Sequence, residues 1–170
     1  MAHSSSKEIR VFPDPILRKQ CKKIIRFDAT LRRIVEKLEV CLKHQHHGIG
    51  IAANQMGMLW QVAIVDVSSR ISSASKLILL NPRILDQSVE VASREGCMSV
   101  PDYTGNLKRY DVVTVEWQDI DGSMRRGLFE GIEARCIQHE IDHLHGKLFF
   151  DRISFLKRDM IPRAKGKSFT

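Results

Sequence analysis

The run Gln138-His139-Glu140-Ile141-Asp142-His143 restricts what this chain can fold into more than any other stretch. Residues four apart on an α-helix share one face, one turn apart, so both imidazoles reach a single cation only if this segment is helical. The surrounding pattern agrees. A helix is predicted from about 132 to 145, with no internal Gly or Pro and with Gly146 just past its end. Ile137, Ile141 and Leu144 flank the motif and set the helix against a core, which favours a site in a cleft over a polar decoration of a surface helix. Glu140 stands beside the first histidine. That division of labour suits hydrolysis: neutral imidazoles hold an ion, while a carboxylate takes the proton of the attacking water and returns it to the leaving group.

A catalytic site of this kind uses three protein ligands and one open position. Downstream, His145 is too close along the helix to complete the set, and Asp151 and Asp159 carry no supporting motif. Upstream, Cys97 lies in Glu95-Gly96-Cys97-Met98-Ser99, read as a loop-like turn after a strand, and a thiolate is a good ligand for a divalent transition metal. The four cysteines, at 21, 41, 97 and 136, form no Cys-x-x-Cys, which points to a reducing compartment rather than a disulfide framework. Cys21 and Cys41 read as small buried hydrophobes. Cys136, one turn before His139 on the same side, fits pocket lining and plain core packing equally. A third segment, Gly48-Ile49-Gly50-Ile51-Ala52-Ala53-Asn54-Gln55, lacks the lysine of a phosphate loop. Its small residues permit close backbone approach, and Gln55 offers a neutral amide donor.

The remaining pattern describes one domain spanning 1–170. A helix begins after Asp28, a suitable N-cap, with Leu31, Ile34, Val35, Leu38 and Leu42 at helical spacing and Gly48 beyond its basic end. Strands are predicted over 61–67, 76–80, 89–93 and 112–117, then a hairpin turn at Asp121-Gly122 into 124–129. Without βαβ alternation, the fold class is α+β with antiparallel sheet. No apolar run approaches a membrane span. The first six residues, rich in serine, are set aside as disordered or vector-derived. The formal charge of +7 favours anionic partners without specifying them. It concentrates in a basic tail over 157–170, whose cations are Lys157, Arg158, Arg163, Lys165 and Lys167.

Together and in this order, the three segments resemble those of the peptide deformylases. With φ an apolar residue, that family carries Gly-φ-Gly-φ-Ala-Ala-x-Gln, Glu-Gly-Cys-φ-Ser and Gln-His-Glu-x-Asp-His-Leu-x-Gly, here at 48–55, 95–99 and 138–146. Pro13-Asp14-Pro15-Ile16-Leu17-Arg18 also looks like the family's opening segment, so the likeness covers nearly the whole chain. It implies antiparallel β-sheets packed around a central helix that bears the two histidines. It also implies removal of the formyl group from the N-terminal formyl-methionine of nascent polypeptides, with release of formate. By position, the metal ligands would be Cys97, His139 and His143. Glu140 would act as general base and then general acid, while Gln55 and the backbone N–H of Met98 would stabilise the oxyanion. Gly50 matches a position whose backbone meets the substrate. Ile49, Ile132, Cys136 and the aliphatic stem of Arg135 would line the methionine pocket. Glu95 would pair with Arg109 to fix the cysteine segment.

The implied cofactor is one divalent ion, Fe²⁺ in the cell, with Zn²⁺, Ni²⁺ or Co²⁺ possible in purified protein. The implied partners are formylmethionyl nascent peptides, and the ribosome surface through the basic tail, with a solvated tail as the alternative; neither membrane nor DNA is expected. The expected compartment is the cytoplasm. Three departures bear on specificity. Met98 replaces a more usual leucine, Thr104 stands where some bacterial members have a substrate-contacting arginine, and Arg135 varies between apolar and arginine in the family. Two other readings of the metal motif remain: a zinc protease cleaving internal peptide bonds without Cys97, and a non-catalytic protein with a structural metal.

Overall fold

The computed structural model describes residues 9–153 and the backbone of a short strand at Met160–Pro162. The basic tail and the serine-rich start otherwise lie outside the described residues. The first helix, α1 (Ala29–Lys43), begins where the sequence indicates, with Asp28 accepting from the N–H groups of Thr30 and Leu31 at 2.9 and 3.2 Å. Its buried face, Leu31, Val35, Leu38, Cys41 and Leu42, packs on β1 (Gly50–Ala52) and β2 (Val62–Val65).

The predicted strands at 76–80 and 89–93 are one element, β3 (Leu77–Cys97). The polar residues between them stay extended because β4 (Val100–Gln118) pairs with them along nearly their whole length. Register shifts between Leu80 and Arg83 and between Ile84 and Asp86 interrupt that ladder. At the first of them Asn81 takes a left-handed φ of 49°, and its amide ties down the chain by bonding both Ile24 N and Ile24 O at 2.8 Å. β5 (Met124–Glu130) follows across the Asp121-Gly122 turn. The antiparallel order is β1-β2-β3-β4-β5, and β6 (Met160–Pro162) pairs with β4.

The second helix, α2 (Gly131–Leu144), carries the histidine motif and packs against β1, β2 and β4. Ala134, Ile137 and Ile141 join Val65, Leu79, Val113 and Val115 in a second core cluster. Gln138 fixes the helix to the sheet, donating to Tyr110 O at 2.6 Å and accepting from Tyr110 N at 3.1 Å. Terminal carbonyls are satisfied from other elements: Asn54 Nδ2 donates to His143 O at 2.6 Å and Cys21 N to Leu144 O at 2.9 Å. Gly146 ends the helix at φ 71°, where a Cβ would lie 2.4 Å from Arg18 O, so no larger residue fits. The architecture is the α+β arrangement expected, an antiparallel sheet around the helix that bears the motif.

Candidate active site

Cys97 ends β3, and the two-residue connection Met98-Ser99 turns the chain into β4, with Cys97 opposite Val100. The segment read as a loop is therefore a strand end and tight hairpin, which holds the thiol more rigidly than a loop would. α2 presents both histidines to it. Cys97 Sγ and ring nitrogens of His139 and His143 lie within 4.8 Å of one another, and Sγ is 3.2 Å from His143 Nε2. Bonds of about 2.0–2.3 Å in a tetrahedral site separate ligand atoms by about 3.5 Å, so a soft thiolate and two imidazoles at these spacings fit one divalent transition metal.

The electrostatics agree with that fit. Burial pushes the Cys97 thiol up, but the imidazoles of His143 and His139 outweigh it and hold the group well below its ordinary value. Burial pushes His139 down, yet hydrogen bonds to Cys97 and Glu95 raise it well above the ordinary imidazole value. A thiol and an imidazole coupled in this way suit a cation, whose binding requires both ligands deprotonated.

His139 owes its orientation to Glu95, whose Oε2 lies 3.0 Å from Nδ1 and leaves Nε2 for the metal position. Glu95 is itself gripped by Arg109, through Nε at 2.7 Å and Nη2 at 2.9 Å. The side chain of Arg109 is fully buried and also donates to Asp142 Oδ2 at 2.6 Å, and Arg152 closes on Asp142 through Nε and Nη2 at 2.5 and 2.6 Å. Burial would raise Glu95, but the hydrogen bonds from Arg109 and His139 bring it down to about 2. The Glu95–Arg109 pair foreseen in the sequence is present, and it does more than brace the cysteine segment. It forms the second layer of the metal centre. Sequence reasoning missed the roles of Asp142 and Arg152; the only signal was that Asp142 sits inside the motif.

Glu140 is 3% exposed, and burial, opposed by both imidazoles and aided by Cys97 and Glu95, pushes its carboxyl up to about 7. Its Oε2 has no hydrogen-bond partner among the described residues. Gly50 explains how it fits: a Cβ there would lie 2.4 Å from Glu140 Oε1 and 2.8 Å from Cys136 Sγ. The close approach shown at Gly50 is thus to this carboxylate. Gln55 is buried with its amide fixed, Oε1 accepting from Ala52 N at 2.9 Å and Nε2 donating to Ser99 Oγ at 3.1 Å, with Cys97 Sγ at 3.7 Å. Ser99, the last position of the Glu-Gly-Cys-φ-Ser segment, positions Gln55, while Asn54, which holds His143 O, carried no distinguishing sequence signal.

A cleft of about 850 Å³ opens over this centre, of a size suited to a peptide end. Cys97, His139, Glu140, Gln55 and Met98 line it, as do Ile49, Gly50, Ile132, Arg135 and Cys136. His143 lies behind them, 1% exposed. Cys136 therefore faces the cleft, its thiol raised well above the ordinary value by burial and by Glu140, and donates to Ile49 O at 3.4 Å. Cys21 and Cys41 are buried in the core. Thr104 is buried, its hydroxyl accepting from Arg94 Nη2 at 2.9 Å. Arg135 pairs with Asp111 across the wall of the cleft.

Comparison with known proteins gives a consistent result. Residues 6–159 match the family model described as polypeptide deformylase. The peptide deformylase of Mesorhizobium japonicum is 40% identical over 157 residues, 91% of this chain and 88% of that protein. That of Thermodesulfovibrio yellowstonii is 39% identical over 153 residues, 90% of this chain and 92% of that one. The crystal structure of the Thermotoga maritima enzyme superposes with a TM-score of 0.79 at 35% identity, covering 86% of this chain and 96% of its own. The Legionella pneumophila structure gives 0.81 at 35% identity, covering 88% and 87%.

Proposed function

The chain belongs to the polypeptide deformylase family, and from that premise we propose how its residues share the removal of the formyl group from formylmethionyl nascent peptides. The enzyme is a metal-dependent hydrolase, and Cys97, His139 and His143 would hold the ion. When bound, the ion polarises the formyl oxygen and acidifies the attacking water. Glu140 takes the water proton on its carboxylate and passes it to the departing amine nitrogen. A buried carboxyl raised toward neutrality suits both steps. Gln55 Nε2, held in one orientation by Ala52 N, and the N–H of Met98 donate to the oxygen as it gains charge; losing such a donor costs about 10²–10³ in kcat.

The first side chain of the peptide occupies the apolar part of the cleft at Ile49, Ile132, Cys136 and the stem of Arg135. β1 is an edge strand whose Gly50 also lines the cleft, which supports pairing of the peptide backbone there. The observation that carries the reading is the juxtaposition of the Cys97–His139–His143 donor set with buried Glu140 and oriented Gln55. One catalytic domain, Fe²⁺ as the cellular ion, and a cytoplasmic site of action complete the proposal. Among the described residues no helix is long and apolar enough to cross a membrane. Ribosome docking is assigned to the basic tail over 157–170, which apart from the backbone of Met160–Pro162 lies outside the described residues. Ribosome co-sedimentation tests it: binding should weaken when the residues after Leu156 are removed, and unchanged binding would refute it.

Formate release from a formyl-Met peptide by reduced, metal-loaded protein is the test. Formate and the free amine should appear in equal amounts. Cleavage of internal bonds, with Cys97→Ser retaining full metal, would instead establish the protease reading. Unchanged turnover in Glu140→Gln would exclude any catalytic part for that carboxylate.

A further inference from the structure

The walls of the cleft are unequal in charge. Its acids are Glu95, Asp111 and Glu140, and each is committed: Glu95 to Arg109 and His139, Asp111 to Arg135, and Glu140 to the reaction. Its cations and histidines are more numerous and include exposed His46, His47 and Arg94. Among the described residues no carboxylate pairs with any of these three. Arg94 Nη2 donates to Thr104 Oγ1, a neutral hydroxyl, which anchors the guanidinium without cancelling its charge. His46 and His47 lie on a stretch from Val40 to Val65 that contains neither Asp nor Glu. They lie just before Gly48-Ile49, which leads into the edge strand β1 at Gly50, along which a peptide backbone would run.

Geometry decides what meets these groups. With the formyl end at Cys97 and His139 and the first side chain among Ile132 and Cys136, the rest of the peptide leaves by the exposed mouth. We propose that Arg94, with His46 and His47, selects for a carboxylate side chain (Asp or Glu) at the second or third position of the peptide and against lysine there. The inference rests on the deformylase reading and deepens it. Guanidinium N–H groups bind carboxylate directly, and an imidazole offers an N–H donor even when neutral. Rim charges act on encounter and salt dependence more than on the chemical step, so the effect belongs in KM.

The test uses C-terminally amidated formyl-Met peptides carrying Glu, Gln or Lys at the second or third position, with free-acid versions as a separate arm. In low salt, kcat/KM should fall in the order Glu, Gln, Lys, by about three- to tenfold from first to last, as expected for one or two partly exposed charge contacts. About 0.5 M salt should flatten the series. Arg94→Glu, and independently the double variant His46→Glu with His47→Glu, should erase or invert it. The ratio between peptides is the readout, so a uniform loss from poor folding does not imitate the result. Equal rates across the amidated series, or a ratio unmoved by both variants, would overturn the proposal. A preference confined to free-acid peptides would also overturn it, assigning the cations to the terminal carboxylate. No formate from any peptide would overturn the deformylase reading itself, and this proposal with it.

Discussion

Glu140 and Gly50 are a single unit at the residue scale. The carboxylate needs burial to be held near 7, and the glycine provides the space in which it is buried. Gly50→Ala should therefore lower kcat by at least about tenfold, by displacing the carboxylate proposed as general base, a role whose contribution is of order 10²–10⁴. Metal content, measured by elemental analysis, should stay at the wild-type level because the ligands lie elsewhere. Glu140→Gln should lose about 10²–10⁴ in kcat and, with it, the acid limb of the pH–rate profile, which in the wild type rises as the carboxylate forms. The linkage has a definite sign. A carboxyl raised from 4.5 to about 7 contributes stability that is fully present below the unfolded value and lost as pH rises through the folded one. In metal-free protein, the melting temperature of Glu140→Gln should accordingly gain on the wild type between about pH 4.5 and pH 7. A constant difference over that range would contradict the assignment.

Among the elements, α2 is positioned by its neighbours more than by its own propensity. Alternating charges run Glu95–Arg109–Asp142–Arg152 from β3 through β4 and α2 to the turn beyond, and they meet the metal centre at His139 Nδ1. Glu95→Gln keeps the shape but weakens the imidazole's partner, so metal affinity measured by chelator competition should fall about 10–100-fold. Arg109→Met leaves Glu95 without its cation and Asp142 with Arg152 alone, and should cost about 3–5 kcal/mol in denaturant unfolding. With Glu95 held at about 2, its share of stability is present above the unfolded value near 4.5 and disappears as pH falls through the folded one. The same region shows what sequence reasoning missed. The motif letters located His139, His143 and Glu140 because helical spacing is a local rule. Glu95's grip on His139 and Arg152's on Asp142 join residues 44 and 10 apart, and no spacing rule encodes them. Likewise β3 read as two strands because Asn81-Pro82-Arg83 and Asp86-Gln87-Ser88 interrupt the apolar pattern; only pairing with β4 reveals their continuity.

For the whole molecule, an antiparallel sheet holds one helix so that a strand end, a helix face and an edge strand converge on a single cleft. The three sequence segments were legible as a site because each puts its chemistry in consecutive letters. The cleft's charge was not, since Arg94 and His46 come to line one cleft only through the fold. A thiolate beside ferrous iron should also be vulnerable: aerobic incubation should inactivate an iron-loaded sample far faster than a nickel-loaded one, and equal half-lives would count against Cys97 as a ligand to a redox-active ion. The central claim is that a centre of Cys97, His139 and His143 directs Glu140 at a terminal formyl group. Anaerobic titration of metal-free, reduced protein with Fe²⁺ or Ni²⁺, followed by formate release from a formyl-Met peptide, tests it most directly. Activity should rise linearly and level off at about one equivalent per chain, with Cys97→Ser failing to reach that plateau. Formate release that needs no metal, or full activity in Cys97→Ser at the same equivalence, would contradict it.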